Sequence, residues 1–516
     1  MAMGWTDYLA MLAFFGVMVG VGAFYSRKVK SSDRYFGNDR AASWWMAGIS
    51  FYMTSFSALG FVMYSALAYK FGWVAVSVCW MFSPAVALGA RFLAVRWRRA
   101  ALKSPIDYIA TRYTPRMCSA LALLGLPMQM ADNAFKLLAV GAIVGVGAGL
   151  PPALAIGACG LVVAVYAACG GLRAVLTCSV VQFLVILVLM LALLPLSFAR
   201  LAVAPGGHPG GFPAIFEGIR LFLDRAPEGF FNLVNGQYTW FYLIVFFCCV
   251  GLTQSTNWSL VQRYTSTRSE RDARKAGYLV AFLQFAAPPL FFLPAMAGRL
   301  FLPEIPATGL NAVFASVCND VLPRSCLVLM VLAMFASTMG AVSANVNAAA
   351  NVIVNELYLK VRRDASAERR LAVAKAATVV VALVVIALAL MLSRIQGADD
   401  LFDLTNKVFA IFLPPTAIPM IMGICSRRLS RRSGMFGLVG GTAVGFLVYF
   451  AGFAWPGLRQ TVVMFPVTAF ATLAFLWLGT RLRADSTEER DGIKVFFERV
   501  DGRPSACLAS GEEEGK

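Results

Sequence analysis

The chain has 516 residues, 59% of them hydrophobic and 14% charged, with a mean hydropathy of +0.71 and a formal net charge of +18. So much apolar surface exceeds what a soluble domain buries, and repeated apolar runs of about 20 residues read as an all-α polytopic membrane protein. In such a protein the excess Lys and Arg belong to cytoplasmic loops, so the charge gives no reason to invoke nucleic acid.

Thirteen spans are predicted, at roughly 5–25, 44–69, 73–95, 117–147, 152–169, 174–198, 239–262, 276–300, 325–358, 371–393, 401–424, 435–455 and 462–480. The first is followed by basic residues rather than a small-residue cleavage site, so it reads as retained. The ninth is too long for one simple crossing and is expected to run on or tilt. Basic clusters follow the first, third, seventh, ninth and eleventh spans, beginning at Arg27, Arg96, Arg263, Lys360 and Arg427. All fall on one side of a thirteen-span chain. The positive-inside rule then puts the N-terminus outside and the C-terminus in the cytoplasm of an inner or plasma membrane. The outer loop 199–238 is rich in Gly and Pro and is predicted to carry a short helix at Phe216–Leu223. The charged tail from Arg481 reads as disordered.

Cysteine and histidine usage narrows the chemistry. The eleven cysteines show no zinc-type spacing, and most sit in apolar runs as small hydrophobes. Cys318 and Cys326 flank a predicted outer loop, where pairing is left open. His208, the single histidine, lies in the Gly/Pro-rich loop, which argues against histidine metal sites and proton relays. No nucleophile–base constellation appears, so neither an enzyme nor an organic cofactor is expected. No obligate protein partner is inferred; the partners expected are the bilayer and a small solute.

Candidate site residues cluster where polar groups interrupt apolar spans. In 44–69, Thr54, Ser55 and Ser57 crowd together before Gly60. Irregular backbone is tolerated at membrane depth only where it is buried or lines a cavity, so this span is a candidate broken helix. The alternative is a continuous helix whose hydroxyls bond back to their own carbonyls. Five spans later comes Gly-Leu-Thr-Gln-Ser-Thr-Asn-Trp-Ser at 251–259. Two interruptions five spans apart are what a five-plus-five inverted repeat gives. Asn257 offers a donor and an acceptor, and Trp258 a stacking face, for a polar solute. Asp132 and Lys136 share one helical face in the fourth span, as a coupling device or a self-neutralising pair. Asn406 opens the eleventh span beside Asp403 and Lys407. The stretch around Ser337–Ala350 is rich in small residues, which suffices for close helix packing.

Several stretches resemble the sodium/solute symporters, which include sodium/glucose, proline and sialic acid transporters. They are Trp44-Trp45 with Gly48-Ile49-Ser50, Ser104-Pro105-Ile106-Asp107-Tyr108, Gly170-Gly171-Leu172-Arg173-Ala174-Val175 with Gln182, Gln262-Arg263, and Asn345-Val346-Asn347 with Asn355-Glu356-Leu357-Tyr358. The resemblance implies a ten-helix core made of repeats 44–198 and 239–424. Segment 1–43 precedes them, the loop 199–238 separates them, and two peripheral spans (425–480) and a tail (481–516) follow. It implies secondary active transport, sodium-coupled, of a small polar organic solute by alternating access; a sodium-independent carrier and a solute sensor are the alternatives. By position the sodium ligands would be carbonyls of Met53, Phe56 and Ser337 and two hydroxyls, which here fall on Gly340 and Ala341. An acidic position of the family falls on Ser179. The family's pocket asparagine matches Asn257, its pocket amide falls near Asn406, and the glutamine of sugar carriers falls on Gly60, against a glucose-type site.

Overall fold

The computed structural model describes scattered positions before residue 31, then 31–37, 39–55, 58–100, 104–148, 151–203, 212–303, 305, 313–362, 364–394, 398–482 and 485–502. The predicted first span and the loop around His208 lie almost wholly outside these residues.

The described chain is helical, with no strand among the described residues. The first half contains α1 (Ser32–Phe36), α2 (Trp44–Ser55), α3 (Ala58–Phe71), α4 (Val74–Trp80), α5 (Phe82–Phe92), α6 (Ala94–Ala100), α7 (Tyr108–Arg112), α8 (Pro115–Ala148), α9 (Pro152–Leu201) and α10 (Phe212–Arg225). The second half contains α11 (Trp240–Thr256), α12 (Trp258–Ser266), α13 (Glu270–Phe301), α14 (Val313–Val321), α15 (Arg324–Val352), α16 (Leu359–Val361), α17 (Ala367–Leu392), α18 (Ala398–Cys425), α19 (Ser433–Ala451), α20 (Thr461–Leu482) and α21 (Thr487–Asp501). Among the described residues, seven helical stretches are long and apolar enough to cross a membrane, and two bent pairs, α2 with α3 and α11 with α12, extend that to nine. Large apolar side chains face outward on α9 (Leu184, Val188, Leu191), α17 (Leu383) and α20 (Phe470, Trp477). A belt of this kind is stable only against lipid.

α9 differs from expectation at first sight, since 50 residues run as one helical element where two spans are predicted. A straight helix of that length would measure about 75 Å, against about 30 Å of hydrocarbon. Its contacts require a turn. Ile156 packs on Gly141 of α8. Further on, Ala167 accepts a hydrogen bond from Tyr35 of α1, and Arg173 pairs with Asp39 beside it. The chain then returns past Ser50 at Ser179 and reaches α10 at Phe198. Leu172 fills the space at Gly37, whose φ of +77° favours glycine. This one helical element covers both spans predicted at 152–169 and 174–198.

In the ninth predicted span, α15 passes into a π-helical turn, Ile353–Tyr358, and then α16. The helix predicted at Phe216–Leu223 is longer than expected, running from Phe212 to Arg225, and it docks where Gly218 meets the Phe198 carbonyl. Cys318 and Cys326 are both free thiols.

The tail departs most. Residues 487–501 form a helix with a Ser486–Glu489 capping box and a left-handed Gly502 at its end, rather than a disordered segment. Ile493, Phe496, Phe497 and Val500 are buried. Phe496 stacks on Tyr108 at 6.2 Å, and the guanidinium groups of Arg112 and Arg427 lie 5.5 and 5.4 Å from the Phe497 ring. Asp501 pairs with Arg96 and Arg427. A charge-rich composition hid an amphipathic face that the arginine-rich end of the bundle completes. Arg112 itself is wholly buried and caps the end of α18 through the carbonyls of Gly423, Ser426 and Leu429 at 2.9–3.0 Å.

Candidate functional site

The second broken helix is built by Asn257. Its φ of −57° and ψ of 126° leave the helical region, so α11 ends and α12 begins on the same residue. Asn257 makes both joints. Its N–H still donates to Thr253, its carbonyl accepts from Leu260 and Val261, and its side-chain oxygen accepts from the Ser259 N–H at 3.0 Å. Asparagine is among the best N-cap residues because its short side chain reaches those otherwise orphaned donors. The two helices diverge by 53°.

At the first interruption α2 and α3 lie 64° apart. Phe56 and Ser57, both predicted site residues, lie outside the described residues. Ser55 ends α2 and sits between the Phe51 carbonyl and the Gln254 side-chain oxygen, each at 3.1 Å. One hydroxyl proton thus ties the first interruption to the second. Gly60 lies early in α3 with only the Tyr64 ring, at 3.9 Å, near the place of a Cβ.

A cavity of about 30 Å³ opens at the Asn257 break, lined from α8 by Gly125, Gln129 and Asp132, from the break by Thr253, Thr256, Asn257 and Trp258, and from α18 by Phe409 and Thr416. That volume holds about two waters. α18 is loosened beside it, because Pro414 and Pro415 cannot donate to the carbonyls of Ala410 and Ile411. The Thr416 hydroxyl donates back to Phe412 at 2.7 Å. Trp258 is 4% exposed, and its ring crosses α8 where Gly125 supplies no side chain.

Behind the cavity runs a partly buried polar relay. Lys136 donates to Asp132 Oδ2 at 2.7 Å, and Asn345 of α15 reaches the same oxygen at 3.4 Å and Asn133 at 2.9 Å. The Ser259 hydroxyl lies 2.6 Å from the Asn345 side-chain oxygen and 2.7 Å from that of Asn257. Its one proton serves one of them at a time. The relay therefore joins α8, α15 and the broken helix.

The predicted residues divide accordingly. Asn257, Trp258 and Asp132 meet at the cavity, with Lys136 directly behind Asp132. Ser55 and Gly60 stand apart from its described lining. Asn406 lies in α18, but its side chain is outside the described residues. Ser179 donates to Val175 at 2.7 Å and neighbours Ser50, which Arg263 of α12 reaches at 3.3 Å. Met53 and Ser337 are buried, and the Ser337 hydroxyl donates to the Met334 carbonyl at 3.1 Å. Gly340 faces Gln182: a Cβ there would lie 2.7 Å from the glutamine side-chain oxygen. Ala341 is fully buried and brings no side-chain oxygen.

Sequence reasoning missed Gln129 and Thr416, and it read Asn345 as part of a family motif without a role at the site. Gln129 was findable, since it precedes Asp132 by three residues and shares its helical face. Thr416 carries no such mark, because only the packing of α18 against α8 brings it in, as the packing of α15 brings in Asn345.

A family profile described as the sodium:solute symporter family matches residues 35–441. A sodium/sialic acid symporter, NanT, of Aliivibrio fischeri is 23% identical, covering 85% of this chain and 87% of its own. A sodium/glucose cotransporter of Vibrio parahaemolyticus is also 23% identical, over 95% of this chain and 92% of its own. The solved structure of a Na+-coupled sialic acid symporter in a substrate-bound outward-open state superposes with a TM-score of 0.79 at 20% identity, covering 93% of this chain and 98% of that one. The fold is the all-helical inverted-repeat transporter fold, and the chain belongs to the sodium:solute symporter family.

Proposed function

We propose that the solute of this secondary active transporter is a small polar organic molecule, bound at the Asn257 break between α8, α11–α12 and α18 and moved by alternating access. The observation that carries this reading is the convergence of Asn257, Asp132, Thr253, Thr256, Gln129 and Thr416 on one small cavity. With its oxygen committed to Ser259, Asn257 keeps its side-chain N–H₂ for the solute. The helix ends at the break supply further free backbone groups. Widening the cavity to solute size requires α18 to move from α8, and the prolines of α18 ease that motion. The arginine-rich end, where Arg99 bridges Glu270 at 2.6 and 2.7 Å, faces the cytoplasm in this reading together with α21.

The driving ion is sodium by kinship with the named relatives. The resident donor set argues the other way at the place the resemblance indicates. Gly340 and Ala341 have no hydroxyls, and Gln182 fills the space at Gly340. These residues do not fit a sodium ion held by two helix hydroxyls. That observation favours a second reading, a sodium-independent carrier of the same fold.

Uptake into proteoliposomes, with and without sodium at two pH values, separates the two. Loss of uptake without sodium supports the first reading, and unchanged uptake supports the second. Asn257→Ala is expected to reduce uptake at least tenfold under either; full uptake by that variant would remove the cavity from the transport path.

A further inference from the structure

We propose that the transported solute carries a protonated amine, whose ammonium takes the place of the Lys136 ammonium on Asp132. The inference rests on the transporter reading above. Among the described residues lining the cavity, Asp132 is the one with an ionisable side chain. It is 15% exposed. The hydrogen bonds it receives from described residues both end on Oδ2, which leaves Oδ1 for a ligand.

A carboxylate buried at membrane depth needs a counter-ion, and Lys136 supplies one from the next turn of α8. That ammonium rides on a flexible four-carbon stem and can withdraw when another cation arrives. An anionic solute would instead meet a like charge. The aromatic rings at the cavity, Trp258 and Phe409, attract cations as well. Asp132 is also wired to the break through Asn345 and Ser259, so replacing Lys136 is felt where the helices must move.

The test uses the purified full-length chain in nanodiscs and proteoliposomes with probes of similar size and different charge: ethanolamine, L-serine, lactate and glycerol, with glucose and sialic acid as controls. Ethanolamine or L-serine is expected to raise the melting temperature and to be taken up. Asp132→Asn should weaken that binding at least tenfold, and Lys136→Gln should tighten it. The doubly neutral pair, Asp132→Asn with Lys136→Gln, leaves no unpaired buried charge; it should melt near wild type yet still bind the amine at least tenfold more weakly. Binding and uptake confined to lactate, glycerol, glucose or sialic acid, indifferent to Asp132→Asn, would overturn the amine assignment while leaving the transporter reading intact. Failure of every probe in both binding and uptake would defeat both.

Discussion

Gly125→Ala probes the contact that shapes the cavity. The added methyl would sit 2.5 Å from Trp258 Cζ2 and 2.9 Å from Cη2. Carbon pairs in good contact lie about 3.5–4.0 Å apart, so the indole must move by about 1 Å. Trp258 opens α12 and is held there by the Asn257 cap, so its ring has one direction to yield, into a cavity of about 30 Å³. Overpacking of this kind costs about 1–3 kcal/mol, which for a chain of this length corresponds to a fall in melting temperature on the order of 1–3 °C. The apparent KM for the solute should rise, because the displaced ring takes solute space. Trp258→Phe removes the atoms that clash, so the double variant should recover part of the loss. A coupling energy of about 1 kcal/mol or more is the expected signature of such a contact. Thermal unfolding monitored by tryptophan fluorescence, with uptake measured in parallel, reads both effects. Wild-type melting and uptake for Gly125→Ala, or the absence of any rescue by Trp258→Phe, would refute the contact.

Three further variants test the frame around the site. Phe497→Ala removes a buried anchor of α21, a change that costs about 3–5 kcal/mol in a core; hydrogen exchange should show 487–501 released while the bundle melts near its usual temperature, and unchanged protection would count against docking. Arg112→Lys keeps the charge but loses the fork that reaches three carbonyls of the α18 end. Hydrogen bonds made by charged groups contribute about 1.5–3 kcal/mol each, so this variant should melt several degrees lower, and equal melting would show that the fork is dispensable. Gly218→Ala would place a methyl 1.8 Å from the Phe198 carbonyl oxygen; backbone cannot give way as a side chain can, so α10 should lift and tryptic cleavage at Arg220 and Arg225 should increase.

Much of the frame was legible because hydropathy and loop charge are local signals. The spans from Pro115 to Ala148 and from Thr461 to Leu482 appear almost as predicted. The break at Asn257 was legible for a different reason. A run of Thr, Gln, Ser and Asn inside an apolar span has no favourable use against lipid, and asparagine carries its own capping chemistry. The α21 helix was not legible, since its four apolar residues lie among charges and acquire meaning only against Tyr108, Arg112 and Arg427.

By itself the sequence determined the class of molecule, the helical periodicity, the pair of interrupted spans and the Asp132–Lys136 pair. Each of these follows from neighbours along the chain, through hydropathy, capping or the spacing of one helical turn. The tertiary structure alone decided that Asp132 meets Asn257 at a cavity, that Asn345 and Ser259 link them, that Ser55 and Gly60 stand aside, and that Gln182 takes the space at Gly340. Those outcomes depend on how α8, α12, α15 and α18 pack together. Packing across more than two hundred positions, as between Asp132 and Asn345, leaves no mark in the local order of residues.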